Sequence, residues 1–164
     1  MTGSRHPIRY DATAATQGPV PILGPDESVE VLRNARRIAI VGASPNPWRA
    51  SHSVMDYLMA RGYECVPVNP NASSVLGRPC FPSLEEAVAA AGGGPFDIVD
   101  VFRRPEHAAA IAQSAVTLGC GTLWLQLGIV DWDAARIAHD GGLTVVMDRC
   151  TAIDHRRLRA SSGG

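Results

Sequence analysis

Arg37-Ile38-Ala39-Ile40-Val41-Gly42-Ala43-Ser44-Pro45-Asn46-Pro47 is the stretch on which the reading of this chain turns. An apolar, β-branched strand signal stops at Gly42 and two small residues. A strand that ends this way before a helix leaves unpaired N–H groups and a partial positive charge at the helix start, so an anion is favoured there without any lysine. Gly42 and Ala43 let a phosphate approach the backbone, and Ser44 either adds a hydroxyl donor or caps the next helix. The same residues also suit a plain strand-to-helix turn. The spacing is not Gly-x-Gly-x-x-Gly, so the dinucleotide fingerprint is absent, and Pro45 and Pro47 predict a longer, stiffer loop. Arg49, Ser51 and His52 fall near the helix start, where they either contact phosphate or face solvent.

Outward from this run, strand and helix patterns alternate. Strand 38–42 is followed by helix 51–61 ended by Gly62, strand 64–68, helix 83–91 ended by Gly92 and strand 97–102. Helix 105–118 then stops at Gly119, strand 122–127 at Gly128 and helix 131–140 at Gly141, before strand 143–147 and a short helix over 150–158. Apolar strands separated by helices with glycine C-caps predict an α/β fold, a doubly wound parallel sheet of about five strands covered on both faces. Asp26 offers an N-cap for a helix over 27–35, so a single domain is expected over residues 26–160. Residues 1–25 carry Pro7, Gly18, Pro19, Pro21, Gly24 and Pro25 with no sustained period, and predict an N-terminal arm that is extended or partly disordered.

Ligands of such sheets bind outside the carboxyl ends of the strands, so five turns should meet: 42–44, 69–71, 102–105, 126–128 and 148–150. An NAD site usually places a carboxylate after the second strand, to accept from the ribose hydroxyls. This chain has Asn69-Pro70-Asn71 there, and Arg78 nearby keeps a ribose phosphate open. Phe102, Arg103 and Arg104 bring an aromatic and two guanidinium groups to the edge, Arg103 to contact ligand and the other arginine to pair with Glu106. Gln126 can bond a polar chain; Gly128 either admits a narrow ligand or only forms a turn. Cys150, beside Arg149 and at a helix start, is a candidate reactive thiol, with a buried inert cysteine as the plain alternative.

Bulk properties remove other classes. A formal net charge of -1 over 164 residues gives no global attraction to nucleic acid or anionic membrane. Every basic residue is arginine, which excludes a Walker lysine, a Schiff-base lysine and a lysine general base. Cys65, Cys80, Cys120 and Cys150 lack paired metal-ligand spacing and suit reduced thiols, so a cytoplasmic location is expected, with no metal. No apolar run long enough to span a bilayer and no cleavable leader pattern is present.

Taken together, the stretches at 40–47, 51–58, 62–71, 76–78, 96–103, 122–128 and 145–150 resemble the stand-alone bacterial CoA-binding proteins. That family is similar to the nucleotide-binding domain of the succinyl-CoA synthetase alpha subunit, and the likeness covers about residues 36–158. It implies a Rossmann-like fold with coenzyme A, or an acyl-CoA, across the strand ends. The diphosphate would lie at Gly42, Ala43 and Ser44, the adenosine near Asn69 and Pro70, and the pantetheine past Phe102, Arg103 and Gln126. Ala50, often proline in the family, and Thr151, at a position that varies but is usually bulkier or proline, depart from the pattern and bear on loop geometry. The ligase domains of the synthetase have no counterpart here, so binding without ligation is expected. A thiol-active protein forming a mixed disulfide with CoA through Cys150 is the alternative, and an NADP-binding oxidoreductase a third, without a tyrosine–lysine pair to support it. A homodimer or an unidentified protein partner stays open.

Overall fold

Alternation of side chains along each strand organises the molecule. The computed structural model describes residues 18–92 and 94–162. Its elements run α1 (Pro25–Asn34), β1 (Arg37–Val41), α2 (Ala50–Ala60), β2 (Glu64–Val68), β3 (Ser74–Val75), β4 (Arg78–Pro79), α3 (Leu84–Ala91), β5 (Ile98–Val101), α4 (Pro105–Thr117), β6 (Thr122–Leu125), α5 (Trp132–Asp140), β7 (Thr144–Met147) and α6 (Thr151–Ser162). Five strands form one sheet in the order β2-β1-β5-β6-β7, every neighbouring pair parallel.

Successive strand residues point to opposite faces. One face sends Val41, Val99, Val101, Leu123 and Leu125 into a cluster with the alanine stripes of α4 and α5. The other sends Ile38, Ile40, Ile98, Trp124 and Val146 into a second cluster with α1, α2 and α6. Both faces are therefore covered, and the molecule is the doubly wound α/β fold that the strand pattern implied, Rossmann-like as the family resemblance implied. Small residues set the helix spacing: Ala108, Ala112 and Ala115 of α4 and Ala134, Ala135 and Ala138 of α5 are all fully buried, which lets the two helices lie close on the sheet.

Three details differ from the sequence reading. The first helix begins at Pro25 and not after Asp26, because proline suits the first helical position and Gly24 is free to cap in an extended conformation. Glu27 Oε1 closes that cap by accepting from the Gly24 N–H at 3.0 Å. A hairpin of β3 and β4, turning at Leu76 and Gly77, both with positive φ, interrupts the connection from β2 to α3. Residues 1–17 of the expected arm lie outside the described residues. Those after them lie on the body: Val20 and Leu23 are buried, and the Leu23 N–H donates to Val145 O of β7 at 2.8 Å.

Chain direction reverses between β1 and β5. From β1 the chain passes outward to β2, then crosses back over β1 to β5 and continues the other way. The carboxyl ends of these two strands are where such a sheet opens a crevice.

Candidate functional site

Backbone bonds tie the strand ends into one edge. Gly42 N–H donates to Val68 O at 2.9 Å, Phe102 N–H to Val41 O at 2.8 Å, and Gln126 N–H to Val101 O at 3.2 Å. Gly128 N–H donates to Asp148 Oδ1 at 2.7 Å, joining the turn after β6 to that after β7. Four of the expected turns thus follow one another along the sheet, and the fifth, at Asn69, is held to the first by a side chain. Asn69 Nδ2 donates to Ala43 O at 2.7 Å, while its Oδ1 accepts from Asn71 N–H at 2.8 Å. Both ends of the Asn69 amide are therefore engaged in shaping the two turns, and Pro70 stands exposed beside them.

The first turn is backbone-rich. Ala43 is fully buried, so its position is fixed by packing. Ser44 does not cap α2: its Oγ accepts from Asn46 N–H at 3.0 Å, and Asn46 Oδ1 in turn accepts from Trp48 N–H at 3.0 Å. These two short turns carry the chain through Pro45 and Pro47 to α2. There Arg49 is the N-cap residue and no side chain caps the helix, so the first amides of α2 are left open. Ser51 lies buried in that first turn, with no intramolecular partner for its Oγ among the described residues. His52 is half-buried beside it.

Arg103 and Arg49 border this opening. The stem of Arg103 passes over Gly42: its Cδ lies where a Cβ on Gly42 would be 3.1 Å away. Arg103, Arg49 on the loop and Arg78 on β4 form no ion pair with a carboxylate among the described residues. Arg104 is the N-cap of α4 and likewise does not pair with Glu106, contrary to the expectation for the second arginine of the pair. Phe102 is half-buried against the core cluster on the α2 side. The edge therefore combines open backbone amides with unpaired guanidinium groups, an arrangement that attracts phosphate oxygens.

Further along, Gln126 is nearly fully buried, and its amide nitrogen donates to Asp100 Oδ1 and Thr151 Oγ1. Gly128 is exposed and in the left-handed region, where Asp148 holds it; Asp148 itself has a φ of +59°. Cys150 is half-buried at the head of α6. Arg149, expected to act on that thiol, is turned away to a bidentate pair with Asp154, with both contacts at 2.7 Å. This pairing raises the Arg149 pKa further above its usual value. Trp124 is core, and its Nε1–H donates to Arg149 O at 2.8 Å.

Sequence reasoning missed Asp100 and passed over Thr151. A carboxyl within Ile98-Val99-Asp100-Val101 was itself the signal, since an aspartate in a strand apolar on both faces needs buried partners. Leu127, Val130, Ile153 and Trp48 are the large apolar residues exposed among the described residues, and all four stand on the loops or helix start at this same edge.

The sequence and fold are similar to those of known proteins. Residues 36–156 match the model of a family described as CoA binding domain. The chain is similar to protein YneT of Bacillus subtilis strain 168, with 38% identity over 129 residues, covering 79% of this chain and 92% of that protein. Among solved structures it is similar to Prb, a PH1109 protein redesigned for binding, with 38% identity, a TM-score of 0.77, and 84% of this chain and 93% of that one covered. A protein of Pyrococcus horikoshii OT3 superposes with 34% identity and a TM-score of 0.76, over 84% of this chain and 93% of its own. No helix among the described residues is long and apolar enough to cross a membrane. With the family model spanning most of the sequence and relatives matched over nearly their whole length, the chain belongs to the CoA binding domain family.

Proposed function

We propose that the carboxyl edge of the sheet binds coenzyme A or an acyl-CoA, and that this chain holds the ligand without itself ligating it. The observation that carries the reading is the family match over residues 36–156, which coincides with an edge rich in open amides and unpaired arginines. In this reading the diphosphate rests on Gly42, Ala43 and Ser44 and the uncapped start of α2, with Arg49, Ser51 and Arg103 as further donors. The adenosine end lies on the ledge at Pro70 that Asn69 shapes, and Arg78 reaches the ribose phosphate. The pantetheine arm passes Phe102, Gln126 and Gly128 toward the apolar rim. The missing ribose carboxylate after β2 argues against NAD. A cytoplasmic location, and no nucleic-acid or membrane partner, belong to the same reading.

Calorimetry with CoA, acetyl-CoA, NAD and NADP at one salt concentration tests it. CoA or acetyl-CoA should bind most tightly, and Arg103→Ala should weaken that binding about tenfold, the loss of one charge-assisted hydrogen bond. Preference for NAD or NADP overturns the assignment.

A further inference from the structure

Asp100 lies in the middle of β5, fully buried, with Ile40 of β1 and Trp124 of β6 as its cross-strand neighbours. Packing alone does not call for a carboxyl there, because the same sheet face is otherwise filled by apolar side chains. Oδ1 accepts from Gln126 Nε2 at 2.5 Å, and Oδ2 accepts from Thr151 Oγ1 at 3.0 Å. Thr151 Oγ1 also accepts from Gln126 Nε2 at 3.0 Å, so both amide hydrogens of Gln126 point inward. Its Oε1 has no partner among the described residues, yet it is not sealed from solvent. A charged Asp100 forbids the reversed amide, which would set Oε1 against Oδ1, acceptor against acceptor.

We infer that Asp100 is a positioning residue that locks the Gln126 amide with its oxygen toward the strand-end crevice, so that the ligand must present an N–H or O–H donor at that point. The inference rests on the CoA reading above, since the pantetheine arm carries amide N–H groups between the diphosphate and the thiol. One proton taken up from solvent releases the lock: a neutral Asp100 donates its O–H to a reversed Gln126 Oε1, and Nε2 then faces the crevice. Burial pushes the Asp100 carboxyl up to about 7, against the opposing effect of its two hydrogen bonds, so both forms are populated near neutrality.

Few charges complicate that titration. From β2 the Cys65 thiol faces Asp100, and burial together with Asp100 holds it up at about 12, neutral. At the head of α6 the Arg149 guanidinium is engaged by Asp154. From α2 the shared cluster holds Val54, Met55 and Leu58, with Tyr57 and Met59 packed at its margin; Tyr57 is the titratable group among them, and its Oη is hydrogen-bonded to His155 Nδ1 of α6. Cys150, at the head of α6, packs against the same cluster.

The side-chain amide resonances of Gln126, assigned by their loss in Gln126→Leu, report the lock in ligand-free protein. They should shift with a single midpoint near neutrality, and be pH-independent in Asp100→Asn. In Thr151→Val, which removes a donor to the carboxylate, the midpoint should move upward, and this variant decides the matter if Asp100→Asn does not fold. Resonances that do not titrate, that titrate alike in Asp100→Asn, or a midpoint unmoved in Thr151→Val overturn the inference whether or not CoA binds. In parallel, CoA affinity should rise about threefold to tenfold more steeply from acid to alkaline pH in the native protein than in Asp100→Asn, the phosphate titration of CoA being common to both. Equal slopes overturn the donor requirement. Absence of CoA binding at any pH instead overturns the CoA reading, and the resonances alone then decide the lock.

Discussion

A Cβ on Gly42 would lie 3.0 Å from Phe102 O and 3.1 Å from Arg103 Cδ, at a backbone φ of +91°. Gly128, at a φ of +87°, has nothing within 4 Å of the same added atom. The pair separates conformational strain from crowding. Gly128→Ala carries the strain alone, about 1 kcal/mol, whereas Gly42→Ala adds displacement of the β5 turn and should cost about 2–3 kcal/mol. Thermal melts measure the difference, and CoA calorimetry should show Gly42→Ala, at the proposed diphosphate site, losing more affinity than Gly128→Ala, which lies on the path of the pantetheine arm. Equal melting temperatures for the two variants would show that the turn after β5 yields freely. At this scale the first turn was legible because glycine and small residues stand together in sequence. The role of Asn69 was only half legible: its place at the second strand end could be counted, but its bond to Ala43 O joins two turns 26 residues apart, which no local pattern encodes.

Elements were legible where their ends are marked by backbone chemistry. β2 occupies 64–68 as the apolar run between Gly62 and Asn69 implied, and α4 stops one residue short of the expected 118 before Gly119. The β3–β4 hairpin was not, because strands of two residues carry no period to detect. Nor was the clamp between α1 and α6. Ser28 Oγ of α1 donates to Asp154 Oδ2 of α6 at 3.0 Å, on a carboxylate 1% exposed that Arg149 also grips. Arg157 extends the clamp by donating to Pro25 O at 3.1 Å. Removing one partner strands the others, so Asp154→Ala should destabilise by about 3 kcal/mol, at the lower end for a buried pair because Arg149 keeps some contact with water. Urea unfolding checks it. Ser28→Ala, which leaves the ion pair intact, should cost about 1 kcal/mol; a loss for Asp154→Ala no larger than this would show that the ion pair contributes nothing net.

Across the whole molecule, two buried titratable groups pull stability in opposite directions with pH. Asp100 favours the proton when folded: its carboxyl moves from 3.8 to about 7 by burial, so its contribution is complete below about pH 4 and declines as pH rises toward 7. His155 of α6 resists the proton when folded. Burial lowers its pKa below 6.5, with Arg61 and Arg159 adding to the effect, and its Nδ1 shares a 3.0 Å hydrogen bond with Tyr57 Oη of α2. Its contribution is complete above about pH 6.5 and is lost as the pH falls through the lowered value. Because the two windows overlap just below pH 6.5, where His155 adds stability with rising pH and Asp100 loses it, the native protein should show a shallow stability profile there. Single variants expose the halves: Asp100→Asn should give stability that rises with pH up to neutrality, and His155→Gln should give stability that falls over the same range. Denaturant melts at a series of pH values read both. If Asp100→Asn retains the native profile while keeping its fold, Asp100 is not the group that loses its proton near neutrality, and the pH sensitivity of the edge must come from its ligand alone.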